Sequence, residues 1–391
     1  MTELRPLVIA GGGIGGLTLG LALARRGIAS TILERAEAFS EAGAGIQLGP
    51  NAVRLLQSLG VAAPLAPRAS CPQAITVFDG PSGEPLARLP LGEWIARRHG
   101  APYWVAHRAD LQAALLSVVR ASSLIEIVTS FKVARFEESG ESIFVVGEDG
   151  RRVRGALLVG ADGLWSTVRN QLWPSSRLTF SGKTAARTVL PVQSVPSPLR
   201  DPIIGVWLAP QCHVVHYPVR SGTEVAAVVI ANEHWMGKGW SAAADCETVV
   251  DKLAEFAPAL RKIMASAGDW RKWALYNPPP LEHWSRGRST LLGDAAHPIL
   301  PFLAQGGAMA IEDAAALAKS LAAHPRDGAG ALLQYERMRR QRVVRVQSAS
   351  RNNGRIYNLA GPLAAARNFV LRQLPGGRIM SRYDWLYGWK G

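Results

Sequence analysis

Five of the six residues from Gly11 to Gly16 are glycine, and they interrupt an apolar stretch, LVIAGGGIGGLTLGLALARRGIASTILER, that begins at Leu7. A continuous helix does not tolerate that density, because each interior glycine costs roughly 1 kcal/mol against alanine. The charge-free run from Leu7 to Ala24, flanked by Arg5 and by Arg25-Arg26, therefore does not read as a membrane span. No small-residue cleavage site follows it, which argues against a secretory leader. It reads as a strand (Leu7 to Ala10), a tight turn (Gly11-x-Gly13-x-x-Gly16) and a helix (Ile14 to Arg26) ending at Gly27. A second strand, Ser30 to Leu33, closes on Glu34. Glycines of this spacing permit the turn, let backbone approach a pyrophosphate and let helix pack on strand. The helix then turns its positive dipole end toward the phosphates. Glu34, 18 residues past Gly16, is placed to accept from a ribose hydroxyl. The unit predicts a dinucleotide site without separating NAD from FAD.

Two later segments repeat the strand-then-turn theme. In ALLVGADGLWSTVRNQLW an apolar strand ends at Gly160-Ala161-Asp162-Gly163, with Ser166 and Arg169 on a following helix. In STLLGDAAHPILPFLAQGGAMAIEDAAALA, Leu291-Leu292 ends a strand and Gly293-Asp294 exposes a carboxylate at a tight turn. A Pro- and Gly-broken loop, His297 to Gly307, then leads into a helix from about Ala308. A carboxylate so placed can bind a sugar-alcohol hydroxyl, and the helix N-terminus behind it favours negative charge.

These three motifs, in this order, resemble the single-component class A flavoprotein aromatic hydroxylases with the p-hydroxybenzoate hydroxylase fold. The runs AQGGAMAIED (304–313) and YDWLYG (383–388) look like the branch holding 3-hydroxybenzoate 6-hydroxylase, salicylate-type hydroxylases and 6-hydroxynicotinate 3-monooxygenase. The resemblance implies FAD as cofactor, with Gly13 and Gly16 at the pyrophosphate and Glu34, beside Arg35, at the adenosine ribose. It implies Arg108, in HRADL, as a further cofactor contact, and Gln47 is a candidate on the border of cofactor and pocket. Asp294 would meet the ribityl chain, and Gln305, Gly306, Gly307 and Ala308 would present backbone amides to the isoalloxazine. Asp162 matches a position tied to both FAD and NAD(P)H. The resemblance also implies NADH or NADPH as a transient co-substrate with O2, which agrees with GAGIQL (Gly43 to Leu48) lacking the context of a second dinucleotide motif. The implied reaction needs no metal. NAD(P)H reduces FAD, oxygen adds to the reduced flavin, and a C4a-hydroperoxide hydroxylates an electron-rich ring.

A phenol reacts faster as phenolate, so a base near it is useful, and histidine suits that task at neutral pH. The stretch HVVHYP supplies two histidines and a tyrosine, and strand alternation separates them. His213 and Tyr217 share a face with Val215, whereas His216 points the other way with Val214 and Pro218. His213 and Tyr217 are the expected catalytic and pocket residues, with Pro301 and Phe302 as further pocket candidates. His216 is expected to be scaffold, and His297 to orient its loop.

The expected architecture is mixed α/β: a Rossmann-like FAD-binding domain, an inserted antiparallel-sheet substrate domain and a helical C-terminal region. Residues 1–70, 101–180 and 278–325 are assigned to the first, 71–100 and 181–277 to the second, and 326–391 to the third. Three scattered cysteines without metal spacing fit a reduced cytoplasmic compartment. The +14 charge is partly local, seven arginines and one acid between Tyr335 and Arg355. It admits a solvated helix face, steering of anionic ligands, or nucleic-acid or membrane contact. No nucleic-acid motif supports the last. The expected partner is a small aromatic acid, with no nucleic acid, no stable membrane insertion and room for a homodimer. The favoured substrate is a monohydroxylated aromatic acid such as 3-hydroxybenzoate, with salicylate-type or 6-hydroxynicotinate-type substrates as alternatives. A non-hydroxylating FAD-binding protein with a basic interaction region is the rival of another class.

Overall fold

The computed structural model describes residues 5–39, 45–235, 239–277 and 281–391. The glycine-rich segment folds as expected, Leu7–Ala10 as a buried strand and Ile14–Ala24 as a helix. That strand lies at the centre of a five-stranded parallel sheet in the order Ser289–Leu291, Leu158–Gly160, Leu7–Ala10, Ser30–Leu33, Ile125–Val128. The short strands are buried apolar runs, as a parallel sheet covered on both faces requires. The chain leaves Leu7–Ala10 toward Ser30–Leu33 and leaves the neighbouring Leu158–Gly160 toward Ser289–Leu291, on the opposite side of the first strand. The carboxyl end of Leu7–Ala10 is therefore a topological switch point, where open α/β sheets bind ligands.

A second sheet of eight strands runs Ser241–Ala244, Trp270–Asn277, Thr179–Pro191, Glu224–Asn232, Cys212–Val219, Ile203–Ala209, Ala74–Asp79, Pro85–Pro90. Six of its seven neighbour pairs are antiparallel. The exception corrects the expectation of a wholly antiparallel sheet: Ile203–Ala209 pairs parallel with Ala74–Asp79. Those two strands are joined through the other sheet, and so long a crossover lets both run the same way. One face packs on the helices Cys246–Asp251 and Pro258–Ala265. The other meets the loop around Phe302 and the C-terminal helices.

A three-stranded antiparallel sheet, Val133–Ser139, Ser142–Gly147 and Arg152–Gly155, was not anticipated. Its signal was present in GEDGRR, where Asp149-Gly150 breaks the chain between two strands.

The 30-residue helix Gly328–Tyr357 corrects the picture of a uniformly solvated arginine face. Arg337, Arg340, Arg345, Arg351 and Arg355 are exposed, but Arg339 is fully buried and Arg342 largely so. Arg339 pairs with Glu312 at 2.7 Å and with Asp313 at 2.6 Å. Arg342 reaches Glu312 at 2.6 Å and the carbonyls of Trp385 and Leu386. A buried guanidinium needs such acids, because an unpaired charge in the interior is costly. Among the described residues no helix is long and apolar enough to cross a membrane.

Candidate functional site

The three sequence motifs meet along one edge. Asp294, Asp162, the glycine turn and Glu34 each follow the last residue of a strand in the parallel sheet, and those strands are neighbours in that order. Three strand spacings of about 4.8 Å spread Glu34 and Asp294 over roughly 14 Å.

At the centre, Gly11 has φ +107°, and a Cβ there would lie 2.4 Å from the Ala161 carbonyl oxygen. One on Gly16 would lie 1.9 Å from the Gly11 oxygen, whereas one on Gly13 would meet nothing within 4 Å. The turn is closed where chain crosses chain and open where a ligand approaches. Gly13 caps the Ile14–Ala24 helix without a side-chain hydrogen bond, and the first turn holds no acid. Its orphan amides and dipole remain available to an anion. This cradle fits a diphosphate.

Glu34 borders it, accepting from Gly12 N and Ala36 N at 2.9 Å each, one amide per carboxylate oxygen. A further lone pair on each oxygen can still take a ribose hydroxyl. Arg35 is exposed beside it.

Asp162 turns inward. Its Oδ1 accepts from Ser166 Oγ at 2.5 Å, and its Oδ2 accepts from the amides of Thr167 and Val168 at 2.8 and 3.2 Å. Burial raises its pKa while these bonds oppose the rise. The carboxylate caps the Thr167–Leu172 helix, so what it offers a ligand is the backbone it shapes. The buried Arg169 donates to Leu164 O at 2.6 Å and to Ala295 O at 3.2 Å, tying the Asp162 segment to the Asp294 segment.

Asp294 differs in being exposed. Surrounding protein still desolvates it and raises its pKa, against the pull of His297, Arg108 and Arg169. Arg108 opens the Arg108–Arg120 helix on the same side. His297 is not exposed: its Nε2 sits 2.5 Å from Asp313 Oδ2. Burial alone would raise the Asp313 carboxyl, but His297 and Arg339 outweigh it and lower the pKa to about 2. Asp313 also accepts from Gly293 N at 3.1 Å, so this buried pair positions the Asp294 turn, as expected of His297.

Gln305 precedes the Gly306–Ala323 helix, fully buried, its Oε1 accepting from Asn51 Nδ2 at 3.0 Å. Its Nε2 has no partner among the described residues. Gly306 and Gly307 are partly exposed, and Ala308 is buried. Gln47, on the Gly45–Leu48 strand, accepts from Tyr103 Oη at 2.8 Å.

The eight-stranded sheet forms the facing wall, and His213 and Tyr217 share a face as alternation requires. His213 is 1% exposed, with its ring 5.5 Å from Phe302 and 5.3 Å from Tyr357, and its Nδ1 has no partner among the described residues. Burial, then Lys183, lowers its pKa to about 3, so the ring is neutral. Phe302 lies in the turn Pro301–Leu303, ahead of Ala304 in the left-handed region. Tyr217 is buried under Gly45 and donates to its carbonyl at 3.2 Å. Tyr357, packed on this wall, and Arg187, on the wall itself, were missed. Nothing local in the sequence distinguished either from its neighbours.

The fold and this edge define a dinucleotide-binding α/β protein with a ring-lined, histidine-bearing wall. The family of the FAD binding domain matches residues 5–350. Among relatives, 3-hydroxybenzoate 6-hydroxylase of Polaromonas naphthalenivorans (strain CJ2) is 36% identical, over 98% of this chain and 96% of its own length. A 3-amino-4-hydroxybenzoate 2-monooxygenase of Streptomyces platensis is 37% identical, over 98% and 96%. The structure of Klebsiella pneumoniae HpxO complexed with FAD and uric acid superposes with TM-score 0.86 at 25% identity, over 99% of this chain and 97% of that one. The chain belongs to the FAD binding domain family and is an FAD-dependent monooxygenase of the aromatic hydroxylase type.

Proposed function

We propose that this enzyme uses NADH or NADPH and O2 to hydroxylate a monohydroxylated aromatic acid, 3-hydroxybenzoate first among the candidates. The observation that carries the reading is the buried, neutral His213, its Nδ1 without a partner among the described residues, in a wall of aromatic rings. Similarity to 3-hydroxybenzoate 6-hydroxylase over nearly the whole chain supports it. FAD, when bound, supplies electron transfer from nicotinamide to oxygen and oxygen transfer to the ring.

The residues of this chain supply the rest. Gly13, Gly16 and the uncapped helix take the pyrophosphate, Glu34 with Arg35 the adenosine ribose, and Asp294 the ribityl chain. Arg108, Gln47 and the backbone of Asp162 complete the cofactor contacts. The amides of Gln305 to Ala308 face the flavin ring. Phe302 and Pro301 cover the substrate. His213 takes the phenolic proton at Nδ1. Its low basicity in the empty pocket suits this order of events: the ring waits neutral, and the phenolate formed beside it stabilises the imidazolium. Residues 1–70, 101–180 and 278–325 form the cofactor part in this reading, 71–100 and 181–277 the substrate part, and 326–391 the helical closure. The similar identity to the 3-amino-4-hydroxybenzoate enzyme keeps ring substitution open.

The test is a panel of 3-hydroxybenzoate, salicylate, 3-amino-4-hydroxybenzoate and 6-hydroxynicotinate, scored by stimulated NADH oxidation and by hydroxylated product. The expected result is strongest coupled turnover with 3-hydroxybenzoate. Equal, uncoupled oxidation with every compound would sink the substrate assignment.

A further inference from the structure

The facing wall carries a cation that has no acid partner among the described residues. Arg187 lies on the Thr179–Pro191 strand opposite Val228, which is itself opposite Val215. Alternation puts Arg187 on the face of Ala185, whose row continues through Ile230 to His213. Ala185, Ile230 and Tyr217 belong to one apolar cluster on this face. The guanidinium carbon stands 5.1 Å from the centroid of the Trp273 ring, a contact that fixes the plane of the group. Its Nε is buried without a partner among the described residues. Tyr217 and Arg108 are the charged or polar groups that act on it, and neither is a carboxylic acid. Glu233, just past the end of the Glu224–Asn232 strand, is already held by Lys272 at 2.9 Å and Thr184 at 2.7 Å.

A desolvated guanidinium with no counter-ion is costly, and a carboxylate presented edge-on relieves that cost with two charge-assisted hydrogen bonds. Two strand spacings and one row of side chains separate the Cα atoms of Arg187 and His213, about 12 Å in all. Both side chains rise from the same face of the sheet. The cofactor's phosphates are expected at Gly13, on the other sheet, so they do not meet this charge.

We propose that Arg187 binds the carboxylate of the aromatic acid and sets the enzyme's preference for acids over neutral phenols. The proposal rests on the reading of the substrate as an aromatic acid. It makes His213 and Arg187 two ends of one pocket, the first for the hydroxyl and the second for the carboxylate.

The test is ligand binding to the FAD-loaded enzyme, read from the flavin absorbance, with benzoate and benzamide as probes. Wild type should bind benzoate much the tighter of the two. Arg187→Met should weaken benzoate by at least about 30-fold, change benzamide by less than about 3-fold and retain FAD. Arg187→Lys keeps the charge and should recover part of the benzoate affinity. Equal affinity of wild type for the two probes overturns the proposal. So does unchanged benzoate binding in Arg187→Met, or parallel loss of both probes. Turnover reports separately. Benzoate binding through Arg187 in an enzyme that hydroxylates nothing in the panel leaves the anchor standing and removes the reaction. Coupled hydroxylation unaffected by Arg187→Met does the reverse.

Discussion

His213 and His216 sit three residues apart on one strand, both buried, both held neutral by burial, with pKa values lowered to about 3 and about 4. Burial and charge state do not tell them apart. Their hydrogen bonds do. Trp207 Nε1, which can only donate, gives its hydrogen to His216 Nδ1 at 2.9 Å. The proton of the neutral ring is therefore on Nε2, which donates to Pro198 O at 3.3 Å. Both nitrogens of His216 are used, and Gly205 lies so close beneath the ring that a Cβ there would fall 1.9 Å from it. His213 has no partner for Nδ1 among the described residues and has two aromatic rings for neighbours. A neutral buried histidine holds structure when its valences are filled and is available for chemistry when they are not.

Substitution should separate the two by which property is lost. His213→Ala should reduce coupled hydroxylation about 100-fold, within the range for removing a general base. FAD retention should stay near wild type, and NADH oxidation should run on to hydrogen peroxide. Product formation within 3-fold of wild type would remove His213 as the base. His216→Ala leaves the Trp207 donor buried and unpaired and opens a cavity, so it should cost about 2–4 kcal/mol of stability. Turnover per folded, FAD-loaded molecule should be unchanged. A large catalytic defect in His216→Ala, with melting unaltered, would erase the distinction.

Acid should expose what the two share. A histidine whose folded pKa is depressed stabilises the fold above its unfolded pKa, here 6.5, and that stability is lost as pH falls. At pH 5 both rings remain neutral when folded, while both bind protons when unfolded. Each then costs about 2 kcal/mol relative to neutral pH. The melting temperature should fall between pH 7 and pH 5, and His216→Ala should flatten that fall by removing one of the two contributions. An identical slope in the variant would mean that His216 titrates normally in the folded protein.

The His213–His216 contrast was legible in the sequence because it depends on a period of two, which a strand imposes on neighbouring residues. The glycine turn, Glu34, and the Asp162 and Asp294 turns were legible for a similar reason. Each is a local solution to backbone geometry, written in consecutive residues. Tyr357 and Arg187 were not, because their significance comes from partners far along the chain. Tyr357 reaches His213 from the end of a long helix. Arg187 shares a face of the wall with His213 only through the register of three strands. The arginine-rich helix shows the same limit, since pattern alone could not reveal which of its arginines meet Glu312 and Asp313. Asp162 shows it in reverse: the motif was plain, but the inward direction of its carboxylate was not.

Tyr217 shares a face with His213, and the smallest effect is expected there. Its hydroxyl has one proton, already donated to Gly45 O at 3.2 Å. Burial raises its pKa, against the pull of Arg187 and Arg108, so at neutral pH the phenol keeps that proton. To donate to a substrate it would first have to release the Gly45 carbonyl. Tyr217→Phe removes one neutral hydrogen bond of about 1 kcal/mol and keeps the ring pinned beneath Gly45. The expected result is a slightly lower melting temperature, a change in KM of about 3-fold and an almost unchanged kcat. If kcat instead fell 30-fold and its pH profile shifted, the Tyr217 hydroxyl would have left Gly45 in the substrate complex, and His213 would share proton handling with it.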